Sequence, residues 1–148
     1  MKFVVDTNIA FSAVLNTEGK IGDLIMNSHG VLEFHACDTL RSELKKHRQK
    51  LLELSKMSEE QLDQSIYQIT NCLTFTNEAL VPFEYWVKAA NLVREIDMDD
   101  VAFVTLAEFL GIKLWTGDRA LMKGLARKGY TNFITTDELS KLRDLLES

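Results

Sequence analysis

The first eight residues, Met1-Lys2-Phe3-Val4-Val5-Asp6-Thr7-Asn8, constrain the fold more than any other stretch. An apolar run stops abruptly at an acid, a hydroxyl and an amide. Val4 and Val5 are β-branched and favour a pleated, packed strand. The run does not alternate with polar residues, so it predicts burial on both faces, as in a parallel sheet covered by helices. Asp6 then stands at the carboxyl end of the first strand, the edge at which open α/β sheets bind ligands. An acid in that place is either a ligand-binding group or a cap for the segment that follows.

Downstream, short apolar runs alternate with helical patterns. Helices are predicted over Ile9–Leu15 and Ile21–Ser28, with Gly30 as a stop. Val31–Ala36 reads as a second strand, and Asp38 or Thr39 as the cap of a long helix over Leu40–Ser55. Ser58, with Gln61 three residues on, has the spacing of a capping box and starts a helix through Leu62, Ile66 and Ile69. Leu73–Val81 is weakly strand-like, with a turn at Asn77-Glu78. Phe83–Ile96 and Val101–Leu110 read as helices, the second opened by Asp97 and ended by Gly111. Ile112–Trp115 is a strand, Arg119–Lys128 a helix, and Asn132–Ile134 a last short strand before a terminal helix capped by Thr136 or Asp137. Strands separated by helices imply parallel pairing with right-handed crossovers, an α/β fold.

Length and charge narrow the class. No repeat, linker or low-complexity tract divides the 148 residues, so a single domain over 1–148 is expected, long enough to bury a core without disulfides. No apolar run reaches the roughly 20 residues needed to span a bilayer. Asp6 and Asn8 also interrupt the start too early for a signal peptide. Cys37 and Cys72 lack metal-site spacing and read as reduced core residues, which predicts a cytoplasmic protein. The net charge of −5 argues against a broad basic nucleic-acid surface while leaving room for a small basic rim.

Four regions carry acids at informative places. Asp6 ends the first strand and Asp118 follows the strand Ile112–Trp115, so in a parallel sheet both stand on one edge. Asp97, Asp99 and Asp100 open an apolar helix, and Glu43 lies shortly after the second strand. Two carboxylates about 4 Å apart repel by roughly 4 kcal/mol at a surface-like dielectric. Several together would offset much of a domain's stability of about 5–15 kcal/mol unless a cation or bound protons neutralise them. All-oxygen ligands favour Mg²⁺ or Mn²⁺, the usual metals of phosphoryl transfer, which points to phosphodiester hydrolysis. Each acid also has a plainer reading. Asp97 and Asp100 have the spacing of a capping box, Asp99 suits a helix dipole, Glu43 can pair with Lys46 or His47, and Asp118 can cap the helix after it. Asp6 is the hardest to explain without a ligand.

The stretches Val4–Asn8, Leu40–Leu44, Asp97–Ala107 and Leu114–Leu121, in this order, resemble a PIN-domain protein, the nuclease fold of many VapC-type toxins of toxin–antitoxin systems. The likeness covers essentially the whole chain. It implies a three-layer α/β/α fold with a central parallel sheet of about five strands. It also implies an acidic pocket for Mg²⁺ or Mn²⁺ and endonucleolytic cleavage of RNA. Residue by residue, Asp6, Glu43, Asp100 and Asp118 match the acidic quartet. Asp6, Asp100 and Asp118 are thereby implied as metal ligands, and Asp97 resembles an additional acid of some branches. Asn8 matches an amide that supports the first aspartate, and Thr116 suits a supporting hydrogen bond behind the ligands. The resemblance extends to a cognate antitoxin, whose Arg-bearing segment would enter the acidic pocket, and to a homodimer.

For contacts to the RNA backbone, Arg119 and Lys46 are the candidates singled out, among cations that otherwise read as solvated helix faces. Trp86 and Trp115 read as core rather than as stacking surfaces, and His35 as a packed strand residue. A second class stays open: a non-catalytic module that keeps the fold and uses its acidic edge for a cation or a basic protein partner.

Overall fold

The computed structural model describes residues 1–148. Five strands run in the order β3-β2-β1-β4-β5, every pair parallel: β1 (Lys2–Val5), β2 (Glu33–Cys37), β3 (Leu73–Thr76), β4 (Lys113–Trp115) and β5 (Phe133–Ile134). Between β1 and β2 come α1 (Thr7–Leu15) and α2 (Lys20–Met26); between β2 and β3 come α3 (Thr39–Lys46), α4 (Arg48–Ser55) and α5 (Glu59–Asn71). Helices α6 (Phe83–Val93) and α7 (Val101–Leu110) lead to β4, α8 (Arg119–Arg127) leads to β5, and α9 (Thr136–Glu147) closes the chain. No helix is long and apolar enough to cross a membrane.

The unalternating first strand is buried on both faces, as its sequence predicts. Phe3 and Val5 join one core with Phe34, Ala36, Trp115 and the buried sides of α1, α2, α4, α5 and α9. Val4 points the other way, into a second core with Leu114 and residues of α6, α7 and α8. The period-two alternation of a strand thus divides a continuous apolar run between two helical layers. The result is the α/β/α sandwich with five parallel strands.

Strand order locates the functional edge. From β1 the chain lays down β2 and β3 on one side, then crosses through α6 and α7 to place β4 and β5 on the other. The carboxyl ends of β1 and β4 therefore flank a topological switch point, where diverging connections leave a crevice.

Several boundaries differ from the sequence reading. The long helix over Leu40–Ser55 is two helices broken at His47, whose backbone lies outside helical values (φ −101°, ψ 14°). The break turns the chain so that Leu40 and Leu44 before it and Leu51 after it all reach one core. The Ser58–Gln61 capping box forms as predicted. Thr135, one residue before the expected caps, starts α9 through a second such box with Glu138. Leu73–Val81 is a strand only to Thr76, after which Glu78–Leu80 form a 3₁₀ turn.

Candidate functional site

Asp6 is held from both of its neighbours in space. Its N–H donates to the Trp115 carbonyl at 3.2 Å, which pins the end of β1 against β4. Its Oδ1 accepts the Ile9 N–H at 2.7 Å and caps α1. The residue is only 2 % exposed. Burial pushes its carboxyl up from 3.8 to about 6, and the Asp118 charge adds to the rise, while the Thr116 hydroxyl and the backbone N–H groups of Ile9 and Asn8 oppose it. The cap and ligand readings of Asp6 are compatible, because a carboxylate has more lone pairs than one cap uses.

Asp100 is pushed further, from 3.8 to about 7, first by burial and then by the charges of Asp97, Asp118, Asp6 and Asp99. Its Oδ2 is buried with no hydrogen-bond partner, and its side chain caps nothing. Asp97 differs. It is exposed, and its Oδ1 accepts the Asp99 N–H at 2.9 Å. The capping box expected of Asp97 and Asp100 does not form. Met98–Asp100 wind as a 3₁₀ turn, which brings the N–H of Asp99 to Asp97 and leaves Asp100 facing inward.

These groups meet in a cavity of about 560 Å³ at the carboxyl edge of the sheet. Asp6, Asn8, Glu43, Lys46, Asp97, Asp99 and Asp100 all line it. Asp118 is not on its wall. It caps α8 through the Leu121 N–H at 3.0 Å, donates its own N–H to Thr116 Oγ1 at 3.1 Å, and acts on Asp6 and Asp100 through its charge. Thr116 is fully buried; its hydroxyl accepts the Asp118 backbone N–H and bonds to the Asp6 carboxyl. Asn8 contributes a backbone N–H toward Asp6, while its side-chain amide bonds to no protein group. Arg119 is exposed outside the cavity wall.

The Glu43 pairing read from sequence is present: its Oε2 lies 3.1 Å from His47 Nε2. His47 also lines the cavity and packs edge-on against Phe11 with ring centroids 5.7 Å apart. Sequence reasoning passed over Glu78, a further acid of the wall. Asp38 has helical backbone angles and makes no capping bond, so α3 lacks a cap from its own neighbourhood. Glu78 Oε1 supplies one from across the sheet edge, accepting the Thr39 N–H at 2.8 Å and the Thr39 hydroxyl. Its only signal in sequence was the turn at Asn77-Glu78. Trp115 is core as read, but Trp86 is half-buried and lines the cavity.

The donor set consists of carboxylate oxygens, which suits a hard divalent cation. The orphaned Asp100 Oδ2 and the two raised carboxyls describe a place where positive charge would be stabilising. No three His, Cys, Asp or Glu side chains converge as a metal-holding group.

The family model described as the PIN domain matches residues 4–143. The chain belongs to the PIN-domain family. No curated protein sequence matches it significantly. Among solved structures, PAE2754 from Pyrobaculum aerophilum is similar, with a TM-score of 0.68 and 14% identity over 97% of this chain and 90% of that one. VapBC2 from Rickettsia felis, bound to a DNA fragment from its promoter, is similar with a TM-score of 0.62 and 16% identity, over 91% of this chain and 97% of that one. At these identities the two likenesses establish the PIN fold.

Proposed function

We propose that the chain acts as one unit, a Mg²⁺- or Mn²⁺-dependent endoribonuclease, and that it is the toxin component of a type II toxin–antitoxin system. The observation that carries the reading is the pair Asp6 and Asp100. Both carboxyls are raised and sit in one cavity at the carboxyl ends of β1 and β2, and one Asp100 oxygen is left without a partner. Members of the PIN family are generally nucleases, which supports hydrolysis of phosphodiester bonds. The free thiols of Cys37 and Cys72 support a cytoplasmic setting.

Asp6, Asp100 and Asp118 are the proposed metal ligands. Asp100 is preferred over Asp97 because Asp97 is exposed and its carboxylate already serves the 3₁₀ turn. A bound divalent cation supplies a more acidic water and stabilises charge on the attacking and leaving oxygens. Glu43, held by His47, orients the attacking water or takes its proton. Thr116 fixes Asp6 and Asp118 relative to each other through hydrogen bonds behind the ligands. Lys46 on the wall and Arg119 beyond Asp118 contact phosphates.

The likeness to VapBC2 supports a cognate antitoxin; in this proposal an Arg-bearing segment of that partner enters the acidic cavity by charge-paired hydrogen bonds, and the toxin pairs as a homodimer. The carboxylates that crowd the cavity wall support a second reading, a binding module that uses its acidic mouth for a basic partner. One assay separates the two. The purified protein should cleave single-stranded RNA with Mg²⁺ or Mn²⁺ and not with EDTA, and Asp6→Asn or Asp100→Asn should lower kcat by about 100-fold or more. Full activity in both variants, or activity in EDTA, would sink the enzyme reading.

A further inference from the structure

We infer that Trp86 is a stacking platform for one unpaired base of the RNA strand at the acidic cavity, an inference that rests on the nuclease reading above. The argument begins with charge. The protein carries −5 overall, and the cavity wall presents Glu43, Glu78, Asp97, Asp99 and Asp100 against one permanently charged cation, Lys46. Phosphate binding is electrostatic, so this wall grips a backbone poorly. Stacking on an aromatic face is indifferent to charge and to base identity, and it is the other general means of holding a single strand.

Trp86 has the geometry for it. On α6, Trp86, Ala89 and Val93 share one face by helical spacing. Ala89 and Val93 are fully buried, whereas Trp86, at the open end of the helix, is half-buried and lines the cavity. The ring pairs of the chain are Phe3–Phe34, Phe34–Trp115, Phe11–His47 and Tyr85–Phe109, and one cation, Arg41, lies over Phe75. Trp86 is in none of them. Trp115 donates its indole N–H to Thr136 Oγ1 at 3.1 Å, while no protein acceptor takes that of Trp86. An indole covered by no other ring or cation, with an unused donor, therefore lines the same cavity as the carboxylates. The cavity of about 560 Å³ lies in the range of small-ligand pockets, about 300–1,000 Å³, a scale that suits one extruded nucleotide rather than a duplex.

The protein has two tryptophans, and Trp115 is fully buried, so an emission change on adding RNA reports Trp86. The titration is done in EDTA, with a short single-stranded RNA of mixed sequence, an abasic strand of the same length, and the corresponding duplex. The single strand should quench emission, and the abasic strand and duplex should not. By anisotropy of labelled single-stranded RNA, Trp86→Ala should raise Kd about tenfold, and Trp86→Phe should recover most of the loss. With Mg²⁺ present, Trp86→Ala should raise KM while kcat changes by less than about twofold, the signature of a group that holds substrate equally in ground and transition states. Equal quenching by the abasic strand, or wild-type affinity in Trp86→Ala, overturns the inference. So does quenching by an arginine-rich peptide with none by RNA, which would assign the ring to a protein partner. The wild-type titration needs no variant and stands if Trp86→Ala does not fold. Quenching by RNA without cleavage would overturn the nuclease reading and leave the platform. Cleavage with an unchanged KM in Trp86→Ala would do the reverse.

Discussion

Asp6 and Asp100 keep their protons to about 6 and about 7, against 3.8 for an ordinary aspartate, and this ties the fold's stability to pH. In the unfolded chain both ionise near 4, so between that pH and 7 the folded state binds more protons than the unfolded one. Stability then falls as pH rises. The favourable contribution is fully present below about pH 4 and lost as pH passes through the folded values. For Asp6, moving from 3.8 to about 6 corresponds to roughly 3 kcal/mol. Asp100 is partly exposed, and solvent screens its share. Asp6→Asn keeps the α1 cap, since an amide oxygen also accepts, but cannot ionise. Without metal, the variant should melt roughly 5–10 °C above wild type at pH 8, with the gap narrowing toward pH 5. Mg²⁺ should raise the wild-type Tm more at pH 8 than at pH 5. Parallel melting curves across that range would refute the account. Asp6 was readable in sequence because it cuts a strand that had every reason to continue apolar. Which of Asp97 and Asp100 is the buried acid was not, because two aspartates three residues apart have the same chemistry and only their place in the fold separates them.

The elements carry a second lesson, about which contacts reach across the chain. The capping boxes of α5 and α9 are local, and the Ser58–Gln61 pair was visible as written. At α9 three cap-forming residues stand in a row, Thr135, Thr136 and Asp137, and only Thr135 has Glu138 three places on. The cap of α3 could not be read at all, because it comes from Glu78, 39 positions away from Thr39. Helix α3 carries Glu43 and Lys46, so this contact also sets where one wall of the cavity stands. Glu78→Ala removes the acceptor and should cost about 1 kcal/mol, the usual worth of a cap, or roughly 2–4 °C in Tm. Glu78→Gln retains Oε1 as an acceptor and should recover most of that loss. Both variants are compared by thermal melting at pH 7, and an alanine variant as stable as wild type would remove Glu78 from this role.

At the scale of the molecule, topology and charge work in opposite directions on the proposed substrate. Alternating helices and strands made a parallel sheet legible. Nothing in the spacing told on which side of β1 the fourth strand would pair, because a crossover fixes handedness and not destination. That pairing creates the switch point and brings Asp118 close enough to act on Asp6 and Asp100. The same convergence makes the mouth acidic in a chain that already carries −5, so attraction for RNA has to be short-ranged and built from few ion pairs. For a single strand the logarithm of the binding constant falls with that of salt by about 0.7 per phosphate neutralised. With Lys46 and Arg119 as the cationic contacts, the slope should lie between about −1 and −2. Trp86→Ala should shift the whole line to weaker binding without changing its slope, since stacking releases no counterions. Arg119→Ala should flatten it by about 0.7. Anisotropy titrations of a labelled single-stranded RNA over a series of KCl concentrations, in EDTA, give all three lines. A wild-type slope steeper than about −4 would mean that a broad cationic surface, rather than this cavity and its aromatic wall, holds the strand.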